Sequence, residues 1–217
     1  MRLEALIFDL DGTLLDTLAD LRAALNHALN AKGLPLRTLE QVRHDVGNGV
    51  RVLIERSVEG ASPQLIDELF DIFRPYYAQH ASDHTAPYEG ILPMLEEVRK
   101  RGLRSAIVSN KPDAQVRLLH QRFFDRLIDT AIGEQQPLVR RKPAPDMVNM
   151  ALRRLGVDRA QAVYVGDSEV DVQTALAAHL PCIACAWGFR GRQLLELAGA
   201  HPIIDSPCQL TSCLAIS

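Results

Sequence analysis

The sequence predicts an α/β protein: a doubly wound parallel sheet with an all-helical block inserted after its first strand. Three observations carry that prediction. Beyond residue ~90, short apolar runs alternate with stretches of helical spacing, the pattern of strands joined by helices and therefore paired in parallel. Residues ~17–84 carry helical spacing and turn signals, and nothing there resembles a strand. A single apolar strand precedes that block.

That first strand is Ala5-Leu6-Ile7-Phe8-Asp9, an apolar run ending in an acid, as in a strand buried on both faces. Asp11-Gly12 breaks it. In the helical block, Leu18, Leu21, Leu25 and Leu29 recur at helical spacing. Thr38-x-x-Gln41 fits a capping box. Ser62-Pro63 fits an N-cap followed by proline in the first turn. Leu65, Ile66, Leu69, Phe70, Ile72 and Phe73 then form a broad apolar stripe.

The second half is predicted as helix 91–101, strand 103–108, helix 113–122 and strand 127–132. Helix 146–155, strand 162–165, helix 170–179, strand 182–186, helix 193–198 and a short strand 202–204 follow. Gly102 and Gly156 stop the helices before them.

Size and charge agree with this plan. The chain has 217 residues, 47% hydrophobic and 24% charged, which suits one domain plus an insertion, or two small domains. Lys and Arg number 24 against 27 Asp and Glu, for a net charge of −3, so the overall basic footprint of a nucleic-acid binder is absent. No apolar run approaches the ~20 residues needed to cross a bilayer. Met1-Arg2-Leu3-Glu4-Ala5 lacks a cleavable secretory pattern. The expectation is a cytoplasmic enzyme without nucleic-acid or membrane partners, as a monomer or homodimer.

Cys182 and Cys185 form a C-x-x-C that invites a metal or redox reading. They fall in a strand, however, where residues three apart face opposite sides, and a redox motif would open a helix. Core packing is expected, since a thiol behaves as a small apolar group.

In a doubly wound sheet, ligands bind beyond the carboxyl ends of the strands, where strand order reverses. Polar residues follow three of the predicted strands: Asp9-Leu10-Asp11-Gly12-Thr13, Ser109-Asn110-Lys111 and Gly166-Asp167-Ser168-x-x-Asp171. If these segments converge, their acids repel one another and favour either a shared proton or a bound cation. Asp167 and Asp171 stand four apart at a helix start, on one face. Carboxylates without Cys or His partners suit Mg²⁺ better than Zn²⁺. Ser109, with backbone N–H groups opening the next helix, suits a phosphate. Lys142 would supply positive charge.

Asp9-Leu10-Asp11-Gly12-Thr13-Leu14-Leu15-Asp16-Thr17, Ser109-Asn110-Lys111-Pro112, Lys142-Pro143 and Gly166-Asp167-Ser168-x-x-Asp171 resemble, in order and spacing, the four motifs of the haloacid dehalogenase (HAD) superfamily of phosphatases. Tyr88-Glu89-Gly90, Trp187-Gly188-Phe189-Arg190 and Ile203-Ile204-Asp205 look most like its phosphoglycolate phosphatase branch. The resemblance implies a catalytic core of residues 1–16 and 86–217 and a helical cap of residues 17–85. Its hinges would lie near Asp16–Leu18 and Thr85–Pro87.

The resemblance also implies roles. Asp9 is the nucleophile that forms an aspartyl-phosphate. Asp11 protonates the leaving oxygen and then activates water. Lys142 balances charge on Asp9 and the phosphoryl group. Ser109 and the N–H of Asn110 hold phosphoryl oxygens, and Gly12, Thr13 and Lys111 line the substrate. Mg²⁺ would be bound by Asp9, the backbone carbonyl of Asp11 and Asp167, with Asp171 ordering a metal-bound water or Lys142. Asp11 argues for phosphate chemistry, because the dehalogenases of the superfamily lack an acid at that place.

Gly47-Asn48-Gly49-Val50-Arg51 fails as a dinucleotide motif, since a third glycine is absent. It reads as a helix break; the resemblance makes Asn48, Gly49 and Arg51 the cap segment facing the site. Arg51 is then either a partner for a substrate carboxylate or a surface arginine. Arg140 and Arg141 read as solvated. The leading expectation is a Mg²⁺-dependent phosphomonoesterase acting on a small phosphorylated metabolite, with 2-phosphoglycolate favoured. A sugar phosphomutase or pyrophosphatase of the same superfamily is the alternative. A phospho-receiver module is disfavoured, because its phosphorylated Asp follows a middle strand and it has no helical insert.

Overall fold

The computed structural model describes residues 2–135 and 137–214. The chain forms two compact units, one of residues 1–15 and 87–217 and the other Asp16–Ala86.

In the first unit, β1 (Ala5–Phe8) opens the sheet. The two-residue strand β2 (Leu15–Asp16) leads out of it. The other unit is wholly helical, with α1 (Leu18–Ala31), α2 (Leu39–Asp45), α3 (Val50–Ser57) and α4 (Pro63–His80). The chain returns through β3 (Ala86–Pro87), which pairs with β2. It then alternates: α5 (Ile91–Lys100), β4 (Arg104–Pro112), α6 (Asp113–Phe123), β5 (Thr130–Glu134) and α7 (Asp146–Leu155). After a 3-10 turn come β6 (Ala162–Gly166), α8 (Glu169–Ala177), β7 (Cys182–Cys185), α9 (Gly191–Leu197), β8 (Ile203–Ile204) and α10 (Cys208–Cys213).

The main sheet has the order β5-β4-β1-β6-β7-β8, and every pair in it is parallel. Strand order therefore reverses around β1, between β4 and β6, and a crevice opens there beyond the strand ends.

All four residues of β1 are fully buried, and their alternation supplies both layers of the core. Leu6 and Phe8 pack in one layer with Ile91 and Leu95 of α5, Val116 and Leu119 of α6 and Leu210 of α10. Ala5 and Ile7 pack in the other with Met147, Val148 and Ala151 of α7 and Ala175 of α8. Each large side chain so buried contributes about 1.5–3 kcal/mol. Cys185 belongs to the first layer and Cys182 borders the second, the opposite-side placement expected of a strand. Both thiols are free.

Two predicted strands differ in extent from the sequence expectation, and β2, β3 and α10 lie outside it. The strand expected over 127–132 begins only at Thr130. The N–H groups of Leu127 and Ile128 instead donate to the Phe124 carbonyl in a turn off α6. Ile128 is buried and Leu127 half-buried against the core in this turn, as they would be in a strand, so periodicity alone does not separate the two. The strand expected over 103–108 runs on to Pro112, with a register shift between Val108 and Pro112 where it faces β5.

In the helical unit α1 packs against α4. Leu18, Leu21, Leu25 and Leu29 are buried as their spacing requires. The stripe on α4 is narrower than expected: Leu69, Phe73 and Tyr77 are the buried positions. Thr38 and Gln41 form both bonds of a capping box. The Ser62 hydroxyl accepts from the Leu65 N–H, with proline in the first turn. Asp20 on α1 is buried and accepts from the His84 and Thr85 N–H groups and the Thr85 hydroxyl, tying the unit's last residues to its first helix. No helix among the described residues is long and apolar enough to cross a membrane.

Candidate active site

Asp9 is the first residue beyond β1, and its N–H donates to the Val165 carbonyl of β6 at 2.9 Å. Asp167 is the first residue beyond β6. Two adjacent strands at the point of order reversal thus deliver two carboxylates to one crevice. Asp171, on the first turn of α8, is the third acid, and one oxygen from each of the three lies within 4.8 Å of the others. Asp9, Asp167 and Asp171 are at most 6% exposed.

Lys142 binds two of these acids. Its Nζ is 2.7 Å from Asp9 Oδ1 and 2.7 Å from Asp171 Oδ1. The Tyr164 hydroxyl, on β6, donates to Asp171 Oδ1 at 3.0 Å. Asp171 Oδ2 accepts from the Ser168 N–H and hydroxyl. Asp171 is therefore committed to Lys142, Tyr164 and its own helix cap. Asp167 does not share a helical face with it, because α8 starts at Glu169 and Asp167 precedes the Ser168 cap. The strand end and the cap bring the two acids together, rather than four-residue helical spacing.

Asp167 is held by two different donors. The Thr13 hydroxyl donates to Oδ1 at 3.1 Å and the Phe189 N–H to Oδ2 at 2.8 Å. Trp187 Nε1 in turn donates to the Thr13 carbonyl at 3.0 Å. Three glycines let this packing occur. A Cβ on Gly12 or Gly188 would overlap the Asp167 carboxylate, and one on Gly166 would overlap that of Asp171. Gly12 also has φ 94°, a conformation that side chains disfavour.

Asp11 points elsewhere. Its carboxylate accepts from Lys111 Nζ at 2.7 Å and stays outside the three-acid cluster, so any share in holding a cation falls to its backbone. Lys111, expected to line the substrate, bonds Asp11 through its Nζ. Ser109 does not stand at a helix opening: β4 continues past it, α6 begins at Asp113, and its Oγ accepts from the Lys111 N–H. The Asn110 side chain exchanges bonds with the Lys142 backbone, accepting its N–H at 2.8 Å and donating to its carbonyl at 3.1 Å. It positions the segment that carries the lysine. Arg140 pairs with Asp146 and is exposed, and Arg141 lies 3.9 Å from Glu134.

In the helical unit, Gly47 and Gly49 have φ values of 122° and 87° and break the chain between α2 and α3. Asn48 Oδ1 accepts from Arg56. The Arg51 guanidinium pairs with Glu55 at 3.3 Å and Asp67 at 2.7 Å.

The electrostatics of the cluster call for positive charge. Burial, then Asp171, pushes the Asp9 carboxyl well above its usual range, with Lys142 opposing. Asp167 is pushed up to about 7 by burial first and Asp171 second. Burial would lower the Lys142 ammonium, yet Asp171 and Asp9 outweigh it and hold it firmly protonated. Three buried carboxylates facing one ammonium leave two negative charges unbalanced, and with no cation the acids answer by taking up protons. The donors are all hard oxygens, without sulfur or imidazole, so the set fits a small divalent cation of the Mg²⁺ type.

Tyr164, Ser168, Trp187 and Phe189 join the site through bonds that the motifs do not announce. A tyrosine in an otherwise apolar buried strand is a legible signal, because its hydroxyl needs a partner. The Phe189 contribution is a backbone N–H and leaves no mark in residue type.

Residues 6–185 match the family described as haloacid dehalogenase-like hydrolase. The phosphoglycolate phosphatase of Pseudomonas savastanoi pv. phaseolicola is 35% identical over 216 residues, covering 96% of this chain and 79% of that one. That of Mesorhizobium japonicum is 34% identical, covering 88% and 86%. Among solved structures, a candidate phosphoglycolate phosphatase from Lactobacillus delbrueckii subsp. bulgaricus superimposes with TM-score 0.94 at 37% identity, covering 99% of both chains.

Proposed function

We propose, from the premise that this chain belongs to the haloacid dehalogenase-like hydrolases, that it is a phosphoric monoester hydrolase that cleaves 2-phosphoglycolate to glycolate and phosphate. The branch is supported by the phosphoglycolate phosphatases that align with nearly its whole length. The supporting observation within the structure is the buried chain Asp9–Lys142–Asp171 with Asp167 in reach of the same point.

Asp9 is the nucleophile. One oxygen is bonded to Lys142, and the other attacks phosphorus in line to form an aspartyl-phosphate. Lys142 orients Asp9 and balances negative charge as the phosphoryl group arrives. Asp11, positioned by Lys111, gives its proton to the departing glycolate oxygen and then takes one from the water that cleaves the aspartyl-phosphate. Ser109 and the Asn110 N–H bind phosphoryl oxygens. Asp9, Asp167 and the Asp11 backbone carbonyl would hold Mg²⁺, with Asp171 orienting Lys142. When bound, the cation cancels repulsion between the carboxylate and the phosphate dianion. Arg51, exposed on α3, is the candidate partner for the substrate carboxylate, exchanging it for Asp67 and Glu55. The setting is the cytoplasm.

The test is phosphate release from a panel of phosphomonoesters including 2-phosphoglycolate, with Mg²⁺ and with chelator. Preference for 2-phosphoglycolate, lost in Asp9→Asn and with chelator, is the expected result. Turnover by Asp9→Asn, or a clear preference for another phosphoester, would sink this reading.

A further inference from the structure

We infer that the turn Trp187–Arg190 positions Asp167 for the cation, and that Arg190 is the latch that keeps the turn in place. The role rests on the reading of Asp9 and Asp167 as cation ligands. It concerns a residue outside that set.

The turn leaves β7 and is anchored where the Ala186 N–H donates to the Ile204 carbonyl of β8 at 2.8 Å. From there each residue has a task. Trp187 Nε1 binds the Thr13 carbonyl, and Thr13 in turn binds Asp167 Oδ1. Gly188 lies so close to the Asp167 side chain that a Cβ would overlap it. The Phe189 N–H binds Asp167 Oδ2 at 2.8 Å. Arg190 then folds onto α8, its Nε 2.9 Å and its terminal nitrogen 3.4 Å from the two Glu169 oxygens. The arginine side chain is only 8% exposed, while Glu169 is 41% exposed.

The geometry closes a loop. Glu169 is two residues beyond Asp167 and opens α8, so Arg190 fastens the turn to the element that begins just after the acid the turn holds. A planar guanidinium bonded by two nitrogens to one carboxylate fixes both distance and orientation. An ordinary exposed ion pair would contribute little; here the arginine is buried and the geometry two-pronged. Releasing the latch frees the Phe189 N–H to drift, and the carboxylate loses one of the two donors that aim it. Bonds to a ligating carboxylate from beyond the metal typically affect metal affinity 10–100-fold.

Charge and position make opposite predictions, which gives the test its edge. Arg190→Ala removes a positive charge near a cation site, so a purely electrostatic role would tighten metal binding. A latch role weakens it. Mn²⁺ binding to the full chain is measured by calorimetry and by electron paramagnetic resonance, with emission from Trp187, the only tryptophan, as a third readout. Expected is a loss of affinity of about 10-fold, a matching rise in the Mg²⁺ concentration for half-maximal activity, and kcat at saturating Mg²⁺ within about 3-fold of wild type. Arg190→Lys should recover part of the affinity, and the exchange Glu169→Arg with Arg190→Glu more of it. Unchanged or tighter Mn²⁺ binding by Arg190→Ala overturns the latch, as does a fall in kcat with affinity intact. Should Arg190→Ala not fold, Arg190→Lys and Glu169→Gln decide by the same measurement. Wild type that binds no Mn²⁺ would instead overturn the cation site itself.

Discussion

Lys142 Nζ lies 2.7 Å from Asp9 Oδ1, and both side chains are buried beneath the crevice at the end of β1. The lysine joins Asp9 to Asp171, so it settles two carboxylates at once. Removing it strands both. Lys142→Met should lower stability by about 3–5 kcal/mol, the usual result of breaking a buried ion pair from one side. Urea unfolding in chelator measures it. Saturating Mg²⁺ should restore part of the loss, while phosphatase activity falls by at least about 100-fold, a barrier increase of about 2.7 kcal/mol.

The acids make the metal-free protein respond to pH in an unusual direction. Asp167 titrates near 7 in the fold, and Asp9 is also raised well above its ordinary value. A carboxyl whose folded value exceeds its unfolded one favours the fold at low pH. That contribution is complete below about pH 4 and is lost as pH rises toward about 7. Chelated protein should therefore melt at a lower temperature at pH 8 than at pH 5.5. Bound cation keeps the acids ionised and should erase the difference. Asp167→Asn should flatten the slope in chelator. A melting temperature that climbs with pH in chelator would contradict the assignment.

Gly188→Ala places a methyl group where the Asp167 carboxylate now sits. The side chain must turn away, so Mg²⁺ affinity and activity should both fall by about 10–100-fold. Because Asp167 is displaced rather than removed, raised Mg²⁺ should recover part of the activity. Titration of activity against Mg²⁺ reads the outcome.

Asp20 supports the helical unit without taking part in the chemistry. Asp20→Ala leaves the His84 and Thr85 N–H groups and the Thr85 hydroxyl without their shared acceptor. About 2–4 kcal/mol of stability should be lost in urea, with Thr85→Val costing about 1 kcal/mol.

The chain's plan was legible because the physics that builds it is local. A four-residue apolar run bounded by turn residues is too short for a helix and fits a strand, and β1 is found where Asp9 and Asp11-Gly12 bound it. The crevice was legible because acids sit just past strands. Less legible was what those residues bond to. Asp171 is expected at a cation's surroundings or at Lys142, and it bonds the lysine while standing in the three-acid cluster. Thr13 and Lys111 are expected at the substrate, and each is bonded to an acid 154 or 100 positions away. Such pairings depend on side-chain direction at the end of a twisted sheet, which periodicity does not encode. The Phe189 N–H is a backbone donor that no residue type marks.

The strand order has a consequence for the newborn chain. Thr13 meets Asp167 across 154 residues, and Asp9 meets Lys142 across 133. During synthesis Asp9 waits, first without Lys142 and then without its companion carboxylates, until the chain through Asp171 has left the ribosome. Catalytic competence must therefore emerge late and abruptly, so that a prematurely terminated product would be inert rather than partly active.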